Sequence, residues 1–442
     1  MTRRSRLLTL AVTLLWVAGV FARSSAFEPQ DAARTAEAVP TFTRDVAPIL
    51  FKNCAGCHRP GEIAPMSFLT YEEVRPWAKG IRDEVADGTM PPWHADAPHG
   101  TFLNERGLTA AEKDTLARWA NGGAPKGDPK DLPPVPAFTE GWTLGKPDAV
   151  FEMTEPYKLP ADGTIQYEYF YIPTDFTEPK WVKSIEVRPG NRQVVHHVLV
   201  YYRAAPDKQR SSVLRPSPTA RTPPDKPDGV RLNPARPGLP PRRLLATYAP
   251  GNAAQVAPAG TAFRLEPGGI IELQMHYTTT GEPATDRTRV GLIYATETSP
   301  LEVRPGQFIN GTFTLPAGAA DVAVDADVEF LQDATVWGLF PHTHLRGKKW
   351  QYTLTLPDGT SRTILSVPKY DFNWQTYYMF KEPLKVPKGA RIVSTAWYDN
   401  SAGNRSNPDP RTDVKWGDQT WEEMQYTGLL FTPAVPPTPI VK

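Results

Sequence analysis

Short runs of alternating apolar and polar residues fill most of the chain after about residue 145. Examples are WVKSIEVRP at 181–189, VVHHVLVYY at 194–202 and GIIELQMHY at 269–277. Alternation of this kind predicts half-buried β-strands, and the Pro, Gly, Asn and Asp between the runs predict turns. Many such strands at regular spacing predict an all-β architecture of the β-sandwich or jelly-roll type.

The residues before this region follow a helical pattern instead. Thr70 and Thr109 each stand three positions before a glutamate, which is the spacing of a capping box at the start of a helix. We therefore predict a small all-α domain at 41–126. The Pro-rich, charged segment at 127–144 predicts a semi-stiff linker between the helical and β parts.

The N-terminus predicts an exported protein. It begins MTRRSR and continues with the apolar run LLTLAVTLLWVAGVFA. A basic start before such a run predicts a secretory signal peptide at 1–26, cleaved after Ala26. An uncleaved membrane anchor is the alternative, because the run is close to the shortest length that spans a bilayer. No later apolar run reaches that length, so we expect no further membrane span and a periplasmic or secreted protein.

Composition and charge narrow the class of protein. The 442 residues carry a formal net charge of +1 and no long basic run, so nucleic acid is not an expected partner. There are 48 prolines, about twice the usual share, which favours loop-rich β structure over helices. The interval 205–243 is so polar and Pro-rich that we expect a surface excursion there rather than core.

The two cysteines lie together in KNCAGCHRPG, as Cys54 and Cys57, directly before His58. This C-x-x-C-H pattern predicts covalent attachment of haem c, because the two thiols can add to the vinyl groups while the imidazole takes an axial position. The alternative is a small redox disulfide, but such a site would follow a strand in a βαβ unit, and the surroundings here are helical. Residues 41–126 resemble the small class of c-type cytochromes.

Three residues compete for the sixth iron position. Met90 opens the Pro-stiffened loop MPPW, where the resembling cytochromes present a methionine, and it is the preferred candidate. Met66 lies close after the attachment loop, so the opposite face of the haem is hard for it to reach. His94 is the third candidate and implies a lower potential than methionine. His99 is interpreted as an ordinary surface histidine.

Five histidines fall in three motifs of the β region, VVHHVLVYY, LQMHYTT and PHTHLRGKK: His196, His197, His276, His342 and His344. His342 and His344 are two positions apart, so a strand projects both to one side, as a metal clamp requires. His196 and His197 should face apart on a regular strand, so a shared metal requires a bulge or the use of different ring nitrogens. Any one of them could be an ordinary histidine, but the set of five favours metal binding.

The chain from about 145 to 436 resembles the copper type II, ascorbate-dependent monooxygenases, the family of the peptidylglycine hydroxylating and dopamine β-monooxygenases. The resemblance rests on the HH pair, the QxHY histidine, the HTHL pair and the late strand WEEMQYTGLLF, in matching order and rough spacing. It implies two jelly-roll domains, at 145–297 and 298–436, each supplying one copper.

The resemblance also implies the metal ligands. It assigns the electron-transferring copper to His196, His197 and His276. It assigns the copper that activates oxygen to His342, His344 and Met424. These side chains suit the metal, because imidazole binds copper in both oxidation states and a thioether favours Cu(I). Taken alone, a methionine such as Met424 is more commonly a core residue.

The sequence departs from the family at the positions that hold the substrate. Peptide-amidating members have an arginine two residues before the HxH pair, where this chain has Phe340. Their asparagine and tyrosine after the methionine correspond here to Tyr426 and Gly428, and the cysteines that staple the family's domains are absent. A glycine-extended peptide is therefore not the expected substrate, and we expect something less charged.

Together these patterns predict a copper monooxygenase that hydroxylates a C–H bond of a small organic substrate with O2. The predicted cofactors are two copper ions and one covalent haem c, and ascorbate or another small reductant is a further candidate electron source. The haem is expected to deliver electrons to the copper of the three-histidine set, and a periplasmic electron donor to the haem is an expected partner. Two alternatives remain open. One is an electron-transfer or copper-holding protein without turnover, and the other is a copper oxidase that hydroxylates nothing.

Overall fold

The computed structural model describes residues 38–139, 141–205, 213–216, 240, 242–251, 254–297 and 300–434. The predicted signal peptide at 1–26 lies outside the described residues, as does most of the interval 205–243. Within the described residues, no helix combines the length and apolar character needed to cross a membrane.

The first part of the described chain is helical and packs around its own apolar core. The α-helices are α1 (Ala47–Asn53), α2 (Tyr71–Val74), α3 (Ala78–Asp87) and α4 (Ala110–Asn121), with other short helical turns at Phe42–Val46, Arg75–Trp77 and Pro129–Asp131. Both expected capping boxes form, because Thr70 and Thr109 each exchange hydrogen bonds with the glutamate at the third helical position. Leu50, Leu116 and Trp119 are among the buried residues that hold these helices together.

The remainder is mostly β, in several sheets, which confirms the predicted β character. The strands up to residue 302 are β1 (Ala149–Glu152), β2 (Tyr157–Leu159), β3 (Glu168–Pro173), β4 (Lys180–Arg188), β5 (Val195–Arg203), β6 (Leu214–Pro216), β7 (Arg242–Tyr248), β8 (Ala254–Val256), β9 (Thr261–Leu265), β10 (Ile270–Tyr277), β11 (Ala284–Asp286), β12 (Arg289–Tyr294) and β13 (Leu301–Glu302). The later strands are β14 (Arg304–Ile309), β15 (Thr314–Leu315), β16 (Val322–Phe330), β17 (Ala334–His342), β18 (Gly347–Thr355), β19 (Ser361–Val367), β20 (Tyr378–Val386), β21 (Arg391–Tyr398), β22 (Val414–Lys415) and β23 (Tyr426–Pro433).

The strands form two groups. In the first group, one sheet has the order β1-β12-β4-β9-β13 with β8 added on β4, and a second has the order β3-β10-β5-β7. In the second group, the orders are β14-β23-β17-β20 and β19-β18-β21-β16-β6. Each group encloses a large apolar cluster, in which alternate residues of the strands face inward.

Two strand pairings differ from what the predicted segment boundaries imply. Strand β13 pairs with β9, so the first group of sheets continues beyond the expected boundary at residue 297. Strand β6, which comes from the polar interval 205–243, pairs with β16 of the second group, and the neighbouring Val213 is buried there. The expectation of a surface excursion was therefore wrong at 213–216, where Val213 is buried and Leu214 packs against the second apolar cluster.

The helical part packs directly on the second group of sheets. The rings of Trp93 and Tyr378 lie 5.1 Å apart between centroids. The Asn104 side chain donates to the Tyr377 carbonyl at 2.6 Å and accepts from the Met379 amide at 3.1 Å. The segment 127–144 is therefore one of several attachments, and the helical part is docked rather than only tethered.

Candidate metal centre

Three histidines on adjacent strands form a cluster that could hold a metal ion. His196 and His197 lie on β5, and His276 lies opposite His197 on β10. One nitrogen from each of the three rings lies within 4.8 Å of the others. The family resemblance assigns this set to the electron-transferring copper, and the structure brings all three residues together.

A β-bulge produces this arrangement. His276 pairs with His197, but the next residue, Tyr277, pairs with Val195, so His196 is an extra residue without a partner in the ladder. An extra residue re-aims its side chain, which a regular strand would point to the opposite face. The Nδ1 atom of His197 lies 3.0 Å from that of His196 and 3.3 Å from that of His276.

Burial keeps these imidazoles neutral, which is the form that binds metals. It lowers the pKa of His276 to about 3, with the neighbouring His196 adding to the shift. Burial also lowers the pKa of His197 well below its usual value, and that of His196 to a smaller extent. The Nε2 of His196 lies 3.1 Å from Oδ1 of Asn373, so a neutral ring that donates there presents Nδ1 to the cluster.

His342 and His344 lie at the end of β17 with ring centroids 5.2 Å apart. Nδ1 of His342 is 2.8 Å from Oε1 of Gln375, and Nδ1 of His344 is 3.1 Å from the Glu422 carbonyl oxygen. These contacts leave the Nε2 atoms as available ligands, and Nε2 of His344 is buried without a hydrogen-bond partner among the described residues. Burial lowers the pKa of His342 to about 4 and that of His344 well below its usual value.

A buried carboxylate braces this second set. Glu423 is fully buried and accepts hydrogen bonds from the backbone amides of His344 at 2.8 Å and Arg346 at 2.6 Å. Because Met424 follows it directly, Glu423 ties the histidine-bearing loop to the segment that carries the methionine. Burial raises the pKa of Glu423 to about 7.

Met424 joins His342 and His344 in the lining of one cavity of about 190 Å³. The structure therefore gathers the residues that the sequence assigned to the oxygen-activating copper. The Tyr398 hydroxyl donates to the Met424 carbonyl at 2.6 Å, which fixes the backbone at that point.

Two aromatic side chains connect the two histidine sets. The Phe372 ring centroid lies 5.8 Å from those of His197 and His344, and 5.9 Å from that of His276. Tyr167 contacts the same groups, with its ring centroid 5.1 Å from His276 and 6.4 Å from His344. The two sets are thus joined by direct ring contacts.

The cavity wall contains both aromatic and charged side chains. Phe340 is fully buried and stacks against His342 with centroids 6.1 Å apart, and the Tyr426 hydroxyl donates to Gln307 at 2.9 Å. Arg242 and Asp418 also line the cavity. Phe340 and Tyr426 alone predicted a less charged substrate. Arg242 and Asp418 add charged groups that could contact a polar part of it.

The residues of the predicted haem-attachment motif lie where α1 ends. The amides of Cys57 and His58 both donate to the Cys54 carbonyl, at 3.1 and 3.0 Å, so the three side chains share one turn. His58 stacks on Phe68 with centroids 4.2 Å apart. Burial raises the pKa of Cys54 to about 12 and also raises that of Cys57. Buried thiols with raised pKa values are less reactive than the low-pKa cysteines of redox-active disulfides.

The candidates for the sixth ligand have different surroundings. Met90 is half-buried just after α3, and its amide donates to the Glu84 carbonyl at 3.2 Å. Met66 packs against the core of the helical part. His94 lines a cavity together with residues 369–373 of the β part. His99 is half-buried in the loop that follows.

Sequence reasoning missed the residues that hold the ligands in place. Phe372, Asn373 and Gln375 come from the segment DFNWQ between β19 and β20, which has neither strand alternation nor a metal motif. The polar residues among bulky aromatic ones were the available signal, but their histidine partners are far away in the sequence. Glu423 lies in the late stretch WEEMQYTGLLF, and its contacts depend on complete burial, which that stretch does not reveal.

Comparisons with known proteins do not identify the chain. No protein-family model matches it, and a search of curated proteins finds no match. The major capsid protein P2 of bacteriophage PM2 is similar over 64% of this chain and 97% of its own, with 9% identity and a TM-score of 0.24. A secreted protein from Eubacterium rectale is similar over 63% and 73%, with 8% identity and a TM-score of 0.20. Similarity this weak carries no functional argument.

Proposed function

We propose that the chain is a copper-dependent monooxygenase that hydroxylates a C–H bond of a small organic molecule and receives electrons through a c-type haem. The observation that carries this proposal is the assembly of His196, His197 and His276 beside a cavity lined by His342, His344 and Met424. In this proposal the helical part is a cytochrome c-like domain, and the two groups of sheets are jelly rolls.

The donor sets fit copper. Three neutral imidazoles suit a copper that changes oxidation state, and two imidazoles with a thioether favour Cu(I). Copper at these two sets would supply oxygen activation and electron transfer, and a haem at Cys54, Cys57 and His58 would supply electrons. In the net reaction, one oxygen atom enters the C–H bond and the other leaves as water, with two electrons and two protons consumed.

The protein's own side chains orient the ligands and exclude water. Asn373 and Gln375 each contact one ring nitrogen of a histidine and leave the other for the metal. Phe372 is buried and places an apolar ring between the two sets. Loss of a hydrogen bond to the other ring nitrogen of a metal-binding histidine typically changes metal affinity by about 10–100-fold.

Contacts between the helical and β parts support the electron supply. The Lys369 side chain donates to the Asp87 carbonyl at 2.8 Å, and residue 369 begins the segment that leads to Phe372 and Asn373. On the other side, a Cβ added to Gly251 would lie 2.8 Å from Sγ of Cys57. Gly251 closely follows β7, which pairs with the strand that carries His196 and His197.

The volume of the cavity suits a small molecule. A cavity of about 150 Å³ holds benzene, so a volume of about 190 Å³ fits one substituted ring. The aromatic wall suits its faces, while Arg242 and Asp418 suit a polar substituent.

The test uses labelled oxygen. Reduced, copper-loaded protein is incubated with ¹⁸O2 and a panel of monocyclic aromatic compounds, and products are analysed by mass spectrometry. We expect a hydroxylated product that carries one labelled atom, absent from a His344→Ala variant. Oxygen uptake without a labelled product would contradict the proposal and favour a copper oxidase.

A further inference from the structure

A second cavity, of about 740 Å³, lies apart from the histidine cavity. Three groups of residues contribute most of its wall: the residues after the C-x-x-C-H motif at 59–62, the three residues Phe138, Thr139 and Gly141, and the turn at 188–193. None of these residues holds a predicted metal, and the metal assignments leave this cavity unexplained.

Its lining carries an excess of positive charge. Among the described lining residues, the charged side chains are Arg59, Glu62, Arg188, Arg192 and Arg289. The lining therefore contains four guanidinium groups and one carboxylate. Glu62 already forms ion pairs with Arg59, at 2.6 Å, and with Arg192.

The other two arginines have only distant or shared carboxylates. Arg188 lies 3.6 Å from Glu186, whose oxygens accept the backbone amides of Thr143 and Leu144 at 2.9 and 3.2 Å. Arg289 lies 3.9 Å from Glu152. The same carboxylate makes a closer ion pair, at 3.1 Å, with Arg287. Both guanidinium groups therefore retain hydrogen-bonding capacity.

Two nitrogen atoms of the arginines in this wall also lack a hydrogen bond within the described part of the chain, although Nη1 of Arg188 is the atom that lies 3.6 Å from Glu186. Among the described residues, Nε of Arg59 and Nη1 of Arg188 are buried without a hydrogen-bond partner. A buried N–H group without a partner costs about 1–3 kcal/mol, so native structures rarely keep one without a reason. Burial and the nearby Arg192 charge also lower the pKa of Arg188, which reflects the crowding of positive charge.

We propose that this cavity binds a small organic or inorganic oxyanion with at least two acceptor oxygens, such as a dicarboxylate or phosphate. The planar guanidinium group binds such oxygens in pairs, and charge-assisted bonds of this type are the strongest in proteins. Arg59 also lies over the Phe138 ring at 4.3 Å, which holds its guanidinium group in place. The argument for this site uses none of the proposed copper or haem ligands, and the test below separates a free anion from the carboxylates of a bound haem.

The test measures binding to the full mature protein at low ionic strength. Succinate and inorganic phosphate are titrated separately by calorimetry, which distinguishes a carboxylate from a phosphate site. The variants are Arg188→Gln and Arg289→Gln. Arg411→Gln is the matched control, because it removes the same charge from a highly exposed arginine far along the chain.

We expect saturable binding of at least one anion, weakened tenfold or more by Arg188→Gln and by Arg289→Gln but not by Arg411→Gln. The anion should also raise the melting temperature of the unmodified protein, which gives a readout if a variant folds poorly. The proposal is overturned if neither anion binds saturably, or if all three variants weaken binding equally. It is also overturned if Arg188→Gln changes only the haem reduction potential, since the haem's own carboxylates would then fill the cavity.

Discussion

The Nδ1 atoms of His196 and His197 lie 3.0 Å apart, although the two residues are neighbours on one strand. Regular strand geometry would send these rings to opposite faces. The bulge at His196 turns both toward His276, and the three converging imidazoles could hold a metal ion. A β-bulge next to a functional site is a recurrent device for re-aiming a side chain.

Replacing either His196 or His197 should therefore remove the same copper ion. We expect His196→Ala and His197→Ala each to lower the copper content from two ions to one, because each removes one of three ligands. Copper is measured by mass spectrometry of the purified protein, with His99→Ala as a control outside both sets. If His197→Ala loses a copper and His196→Ala does not, the bulge serves packing and His196 is not a ligand.

Asn373 contacts the ring of His196, and Gln375 contacts the ring of His342, so variants of the two residues can be compared. Asn373→Leu should weaken copper binding at the three-histidine set by about 10–100-fold, and Gln375→Leu should do the same at the other set. The physical reason is loss of the hydrogen bond that fixes the tautomer and ring orientation of His196 or His342. Competitive copper titrations measure both affinities. Each variant is the other's control, and equal weakening at both sets would contradict separate roles.

Glu423 is expected to act as a structural brace. Glu423→Gln keeps the shape but turns one acceptor oxygen into a donor that faces the amide of His344 or Arg346. We expect the free energy of unfolding to fall by about 1–3 kcal/mol, since a buried donor is left unpaired. Thermal or urea unfolding measures this effect. The exposed Glu382→Gln is the matched control, and an equal effect of both changes would refute the brace.

Local patterns in the sequence predicted part of this structure. The capping boxes at Thr70 and Thr109 and the β character after residue 145 depend on neighbouring residues, and both are confirmed. The HxH pair also projects to one cavity, as its spacing predicted.

The rest depends on contacts that are remote in the sequence. His196 meets Asn373 across 177 positions, and His342 meets Gln375 across 33. The bulge at His196 is defined by the register of β10 on β5, so β5 alone does not reveal it. The burial of Val213 likewise depends on β16, which lies more than a hundred positions later.

The docked helical part leads to a prediction about electron supply. In the protein with Cys54 and Cys57 intact, the fully reduced form is mixed with oxygen and a compound that it hydroxylates. The haem should then be oxidised as fast as product forms. The Cys54→Ala/Cys57→Ala protein cannot bind haem through thioether bonds, so it should turn over only with an added small reductant such as ascorbate. Stopped-flow absorbance follows the haem. A haem that stays reduced while product accumulates would refute the electron supply but leave the hydroxylation intact.

The most direct test of the whole account is the metal and haem content of the protein matured in a bacterial periplasm. Elemental analysis and the pyridine haemochrome spectrum together give both numbers on one sample. The account predicts one covalent haem and two copper ions per chain, held by the cysteine pair and by the two histidine sets. Zinc in place of copper, or a single copper ion per chain, would contradict it.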